Sequence, residues 1–425
     1  MAVPPGADAP LIILANFMSP VALDLREHTT LSRWAEQAPR ELFLARPGDA
    51  LVSPVVLSEP FTAYVHTLLG LPHGSVDIIT VRDEPGWSTA DTVHRSPLAE
   101  RLRSHVMRYP GARLLPIALD APTLALADAI GAAVSPLGRA GPAIGAEALA
   151  VVSDYNTKAG FRAAAADVGM RLPPGRVCSG GDLPGTVGRM LARYPRVVVK
   201  PDRSAGGYGL RFVTRDDPAA GAEDSRGCWI VEEHVPHSAA VSAQFLATFE
   251  GPRLVFDGRM DTLGGTFTGY RSPLPGDERT GVRDELNRWG LALGDLLMAQ
   301  GYVGPYGIDA LLGEDGRLYA TESNVRRTAT TTPHALVGRL TSGNGRTGPN
   351  PAWLMATTMP AVPLTFPQAL ARLRHASLAY EAERGDGAVL HTDRPADGGA
   401  WRYLVIATGQ ERLSELATAV DATLR

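Results

Sequence analysis

The stretch Val303–Thr328, VGPYGIDALLGEDGRLYATESNVRRT, decides how this chain is read. Two apolar runs, YGIDALL and RLYATES, flank GEDG, whose Gly and Asp supply the backbone freedom of a hairpin turn. Pairing the two strands brings Asp309 alongside Glu322 and Asn324. Residues two apart on a strand share a face, so Glu322, Asn324 and Arg326 project together. A polar, mixed-charge face at the end of an apolar strand is costly unless it opens into a site. Mg²⁺ suits this donor set, since it takes one or two carboxylates and leaves other positions to water and phosphate. Arg326 and Arg327 follow at once, where a transferring phosphoryl group needs compensating charge. The bland competitor is a solvated acidic turn, and Asn324 and Arg326 in register with Glu322 argue against it.

A phosphate cradle is the next requirement, and Arg196–Val213, RVVVKPDRSAGGYGLRFV, supplies one. VVV reads as a short buried strand with Lys200 at its exit, and LRFV as a second strand. Between them lie Ser204, Gly206, Gly207 and Gly209. Clustered glycines let backbone N–H groups approach an anion without an intervening Cβ. The order differs from a Walker A loop, which ends in Gly-Lys-Ser/Thr, and from a dinucleotide fingerprint, which opens a helix. Upstream, SDYNTKAGFRAAAADVGMRLPP (Ser153–Pro174) predicts an alanine-rich helix capped by Asp154 or Asn156 and stopped by Gly169. Lys158 lies in its first turn, an unfavourable place for a cation unless an anion is near. CWIVEEHVP is an apolar strand ending in Glu232 and Glu233, followed by Val235, and its end could present backbone groups to an adenine edge.

Taken in order, these four elements resemble the ATP-grasp superfamily over about residues 150–345. Lys158 precedes Gly169 by 11 residues, as the family's first nucleotide lysine precedes its helix-ending glycine. VVVKPDRSAGGYG looks like its second lysine and glycine-rich loop, VEEHV like its adenine hinge, and GID…TESNVR like its metal carboxylates, Glu-x-Asn and phosphate-binding arginine. GYVGPYGIDAL followed by TESNVRRT is similar to the subgroup with a pre-ATP-grasp N-terminal domain, which includes the pheganomycin-type peptide ligases of natural-product pathways. The resemblance implies ATP and two Mg²⁺ ions, with Asp309, Glu322 and Asn324 as metal ligands and Arg326 as a catalytic residue. Lys158, Lys200, Ser204, Gly206, Gly207, Gly209, Glu232, Glu233 and Val235 would hold the nucleotide. The implied reaction is amide formation between an amino-acid-like carboxylate and a peptide amine through an acyl phosphate. Other ATP-grasp ligation or phosphoryl transfer, or a non-catalytic ATP sensor, are the competing readings.

Two positions depart from the family pattern. HSAAVSAQF follows the hinge where many members carry an acidic ribose contact, which leaves Ser242 or the backbone for that role. Gly307 stands where ligases of the D-alanine type place an arginine, and Arg271, in GGTFTGYRSP, is the candidate replacement.

Composition bounds the remaining choices. At 425 residues the chain has room for two or three domains. Forty-one Lys and Arg against 45 Asp and Glu leave no basic excess that would point to nucleic acid. LIILANFM is too short to span a bilayer and reads as a first buried strand. Two cysteines, Cys178 and Cys228, make neither a disulfide framework nor a metal cluster, so a reducing cytoplasm is expected. His234, His237 and His334 lack a third partner at zinc-ligand spacing. A homodimer is compatible with the resemblance.

The expected fold is α/β: an open α/β N-terminal domain (1–147), an ATP-grasp domain of two α+β subdomains (148–350) and a C-terminal helix-strand-helix segment (351–425). In the first, LIILANF, ELFLA, VDIITV and LLPIAL read as strands, with helices over 97–109 and 123–131. SPLGRAGPAIGAE (Ser135–Glu147) marks a boundary by its Gly and Pro. Leu286, Trp289, Leu293, Leu296 and Leu297 fall on one helical face and are expected to be core. TSGNGRTGPNP (341–351) reads as an irregular loop. A helix over LTFPQALARLRHASLAYEAE, a strand WRYLVIAT and a closing helix ERLSELATAVDATL complete the chain.

Overall fold

A computed structural model describes the whole chain apart from residues 1–8, 23–24, 26–33, 83, 85, 140, 218–225, 275–279, 343–350 and 397–398. Most of the loop expected at 341–351 lies outside the described residues.

The first sheet is built of β1 (Leu11–Leu14), β2 (Ala50–Ser53), β3 (Asp77–Thr80), β4 (Arg113–Pro116) and β5 (Ala133–Val134), all parallel, in the order β3-β2-β1-β4-β5. β1 and β2 are buried at every position, the continuous apolar run that a sheet covered on both faces requires. The crossover helices are punctuated locally. Ser58 and Asp120 cap Glu59–Leu69 and Ala121–Ile130, and Gly70 and Gly131, at φ 63° and 73°, end them. Strand order reverses between β1 and β4, and in open α/β sheets the crevice outside such a point is where ligands bind.

One strand expectation fails. ELFLA belongs to a 3-10 helix, Ala38–Leu44, and the strand is Ala50–Ser53. A short apolar run does not reveal its period. Pro39 at the start of this one favours a helical turn, while Asp49 ties the true strand to β1 by accepting from Leu11 N at 2.8 Å.

The second sheet comprises β6 (Gly175–Ser179), β7 (Arg196–Pro201), β8 (Arg211–Thr214) and β9 (Cys228–Glu233), antiparallel, in the order β6-β9-β7-β8. One face carries the helix Leu183–Arg193, whose Leu183, Val187, Met190 and Leu191 pack on Val197, Val199, Trp229 and Val231.

The third sheet is the largest. β10 (His237–Thr248), β11 (Gly251–Leu263), β12 (Thr266–Ser272), β13 (Gly304–Gly313), β14 (Leu318–Asn324), β15 (Ala352–Thr358), β16 (Gly387–Leu390) and β17 (Trp401–Ala407) run in the order β14-β13-β10-β11-β12-β15-β17-β16. The helix Thr280–Ala299 covers one face, and its Leu286, Trp289, Leu293 and Leu297 meet Val241, Phe245, Tyr306 and Ile308 in one core. Gly290 permits the approach, since a Cβ there would lie 1.9 Å from the Phe245 ring. The strands after residue 351 continue this sheet through β12–β15 pairing. The helix expected from Leu364 is shorter, Phe366–His375, and Ser377 at φ 55° turns the chain toward β16, a strand the sequence pattern did not suggest.

Candidate active site

Alternation along β13 sends Tyr306, Ile308 and Ala310 into the helix-covered core and Asp309 to the opposite face. There the strand register is decisive: Asp309 pairs with Glu322 and Gly307 with Asn324. Asn324 Nδ2 donates to Asp309 Oδ2 at 3.2 Å, and Arg326 donates to Asn324 Oδ1 at 2.6 Å. The four polar residues expected from the hairpin are thus brought together. Burial, then the adjacent Glu322 carboxylate, push Asp309 up to about 7. Burial also raises Glu322, but Lys158, Lys200 and Arg326 outweigh it and hold Glu322 below the usual carboxylate range. Two hydrogen-bonded carboxylates of unequal acidity are the arrangement that a cation relieves by displacing the shared proton. The donor set therefore fits Mg²⁺ held by few protein ligands and completed by phosphate oxygens. Among the described residues no group of three or more His, Cys, Asp or Glu could hold a metal ion.

Lys158 reaches this rung from the other side of a cleft lined by Ser204, Glu322, Asn324 and Arg326. Its Nζ lies 3.4 Å from Glu322 Oε2 and donates to Ser204 Oγ and O at 3.0 and 3.2 Å. Neither Asp154 nor Asn156 caps its helix. Thr157 does, accepting from Gly160 N, and the helix begins at Lys158. Asp202, leading into the glycine-rich loop, holds the start of this helix: its carboxylate accepts from Ala159 N at 2.8 Å and its carbonyl from Lys158 N at 3.1 Å, while the anion beside the lysine's ammonium is Glu322.

Gly206, Gly207 and Gly209 have φ of 62°, 80° and 72°, conformations that L side chains rarely adopt. Gly207 is also sterically required, because a Cβ there would sit 2.0 Å from the carbonyl oxygen of Gly265. The tip of the β11–β12 hairpin thus rests on the glycine loop, and Phe267 N donates to Gly206 O at 3.3 Å.

Lys200 and Glu232 form a buried ion pair, and Arg162 joins Glu232 at 2.6 Å. Glu232 is therefore occupied in holding Lys200 at the strand exit, a role the sequence pattern did not suggest. Glu233 is half-buried, and burial raises its carboxyl. Its backbone N–H is given to Pro174 O at 2.8 Å. Val235 follows in the turn to β10 and is buried.

One expected placement does not hold. Arg271 pairs with Arg259 and Leu354, on the face opposite Asp309, and its guanidinium donates to Ser414 of the closing helix at 3.0 Å. It is not brought to the cleft. Ser242 stands opposite Asp309 in the sheet, buried, and its hydroxyl accepts from Gln244 Nε2 at 3.0 Å, which sets it beside the carboxylate pair.

The N-terminal domain meets the cleft through contacts that no local pattern signals. Arg327 N donates to Ile117 O just beyond β4, and the Arg327 guanidinium pairs with buried Glu41 at 2.6 Å. Thr332 links the same two side chains. The switch point of the parallel sheet therefore faces Arg326 and Arg327.

Comparison with known proteins bears on the fold. Residues 38–132 match the pre ATP-grasp domain and residues 368–420 the PGM1 C-terminal domain. No curated protein matches the chain. Among solved structures, an N5-carboxyaminoimidazole ribonucleotide synthetase in complex with ADP aligns at 14% identity and TM-score 0.58, covering 99% of this chain and 97% of the other. An L-amino acid ligase from Bacillus licheniformis aligns at 13% identity and TM-score 0.58, covering 99% and 98%. The N5-carboxyaminoimidazole ribonucleotide synthetase from Thermus thermophilus aligns at 15% and 0.57, covering 97% and 98%. No helix among the described residues is long and apolar enough to cross a membrane. The chain thus matches the pre ATP-grasp domain over residues 38–132 and shares the fold of these synthetases and ligases, an α/β fold with a parallel N-terminal sheet and two antiparallel sheets.

Proposed function

We propose that the protein is an ATP-dependent, ADP-forming ligase that joins an amino-acid-like carboxylate to the α-amino group of a peptide. The observation that carries the reading is the Asp309–Glu322 pair with Asn324 and Arg326 beside it, opposed by Lys158 across one cleft. Bound Mg²⁺–ATP supplies phosphoryl transfer to a carboxylate, and the acyl phosphate so formed is open to an amine. The chain's own residues do the positioning and charge compensation that such a transfer needs. Asp309, Glu322 and Asn324 would hold Mg²⁺. Lys158 and Lys200 would neutralise phosphate oxygens, and the backbone N–H groups of 204–209 would cover them. Arg326, fixed by Asn324, would offset charge on the transferring group. The Glu233–Val235 backbone would meet the adenine edge.

The fold shared with an L-amino acid ligase supports an amino-acid-like acid and an amine acceptor. The peptide acceptor rests on the sequence resemblance and on the exposed β11–β12 hairpin beside the glycine loop, which would border an open groove. Incubation with ATP, Mg²⁺, hydroxylamine and a panel of acids should trap a hydroxamate. Peptides of increasing length should then release ADP better than single amino acids do. Hydroxamate without any acceptor-dependent amide would leave phosphoryl transfer as the reaction. ADP release only with free amino acids or ammonia would remove the peptide acceptor.

A further inference from the structure

Six positions on three neighbouring strands form a grid on the cleft face of the large sheet. Ser242, Asp309 and Glu322 are one rung; Gln244, Gly307 and Asn324 are the next. Paired residues on antiparallel strands project to the same face, as do residues two apart. Gly307 leaves the centre of the second rung without a side chain. A Cβ there would lie 2.4 Å from Gln244 Nε2 and 2.8 Å from its carboxamide carbon. The Gln244 carboxamide therefore fills the volume that a side chain at 307 would take, beside the metal-binding carboxylates.

Its orientation follows from the network. Gln244 Nε2 donates to the Ser242 hydroxyl oxygen at 3.0 Å, and Ser242 lies opposite Asp309 in the sheet. Gln244 Oε1 accepts in turn from Thr328 Oγ1 at 3.1 Å. A carboxamide has two N–H donors. Among the described residues the second has no partner, on a side chain only 6% exposed. An unpaired buried donor is costly, and a ligand oxygen would recover that cost. Asn324, the other second-rung amide, gives one Nδ2 hydrogen to Asp309 and takes Arg326 on its oxygen, which ties it to the carboxylate pair.

We infer that Gln244 is the neutral hydrogen-bond donor to a carboxyl oxygen of the acid substrate, in the place where Gly307 offers nothing. The inference rests on the ligase reading for the class of substrate. A neutral donor binds a carboxyl oxygen there without the desolvation cost of a further buried cation.

The test uses the full chain saturated with Mg²⁺ and AMP-PNP, titrated with acetate and with each of a panel of L-amino acids while the melting temperature is followed. At least one acid should stabilise the wild type. Gln244→Ala and the near-isosteric Gln244→Glu should weaken that acid by about tenfold or more, with AMP-PNP affinity within about threefold, as loss of one buried hydrogen bond to a charged group predicts. Unchanged AMP-PNP affinity also reports that the variants are folded. No response to any acid in the wild type, or equal responses in wild type and variants, overturns the inference. So does weakened Mg²⁺–AMP-PNP with unchanged acid affinity, since Gln244 would then only hold Ser242 beside Asp309. If an acid binds through Gln244 but yields no hydroxamate with ATP, the ligase reading fails and the Gln244 contact stands.

Discussion

Asp309 and Glu322 are direct cross-strand partners on β13 and β14, and their carboxyl groups are hydrogen-bonded to each other while Lys158 Nζ stands 3.4 Å from Glu322. Two acidic groups in contact would repel if both were ionised without a cation between them. A cation between them would relieve that repulsion, and the lysine adds the charge that a nucleotide phosphate would need.

Glu322→Gln should slow ADP formation by about 100-fold or more while nucleotide affinity changes by less than about tenfold, because the metal charge acts mainly on the transition state. Turnover at saturating Mg²⁺ and isothermal titration with AMP-PNP separate the two quantities. A turnover within about tenfold of wild type would remove Glu322 from the metal site.

Lys200→Ala should weaken ATP binding by about 10- to 100-fold, the worth of a charge-assisted contact to phosphate. It should also destabilise the fold by about 1–3 kcal/mol, because buried Glu232 keeps only Arg162. Adding Glu232→Gln should recover stability but not nucleotide affinity. Urea unfolding and ATP titration on the single and double variants check both halves of this cycle.

Gly207→Ala should raise KM for ATP by about tenfold or more, because the positive φ and the Gly265 carbonyl 2.0 Å away together force the loop off the hairpin. Gly227→Ala provides the contrast. It has the same φ of 80° but nothing within 4 Å of the added Cβ, so it should cost stability alone. Equal KM values for the two variants would argue that loop–hairpin contact is irrelevant to nucleotide binding.

His334 stacks on Phe256 with ring centroids 4.1 Å apart, and burial lowers its imidazole to about 4. The unfolded chain regains a proton near pH 6.5 that the folded chain refuses until about pH 4. The stabilisation is therefore complete above pH 6.5 and is lost as pH falls from 6.5 toward 4. His334→Phe should flatten the pH dependence of unfolding free energy across that window by about one proton. Other histidines with lowered values, among them His66, His105 and His391, should keep the remaining slope. An identical slope in the variant would show that His334 binds its proton equally well in the folded and unfolded states.

The sequence by itself determined what is local. The GEDG turn and alternation around it already put Asp309, Glu322, Asn324 and Arg326 on one face. Lys200 before three glycines announced the loop of positive φ, and the 3.6-residue period of Leu286–Leu297 announced the helix that buries the other side of the sheet. These signals survive because each depends on neighbours within one or two turns of chain. Tertiary structure alone decided the rest. Ser242 and Gln244 enter the site from β10, far upstream of Asp309, through a register that no local pattern encodes. Arg271 reads as well placed along the chain, yet a strand position one step away from the cleft face points every atom of its side chain to the opposite side. Glu232 looked like part of a nucleotide hinge until Lys200 and Arg162 converged on it, and Glu41 became relevant only when the N-terminal domain met Arg327. Pairings between distant segments are selected by the energy of the whole packed sheet, so the sequence names the candidate groups and the fold chooses which of them meet.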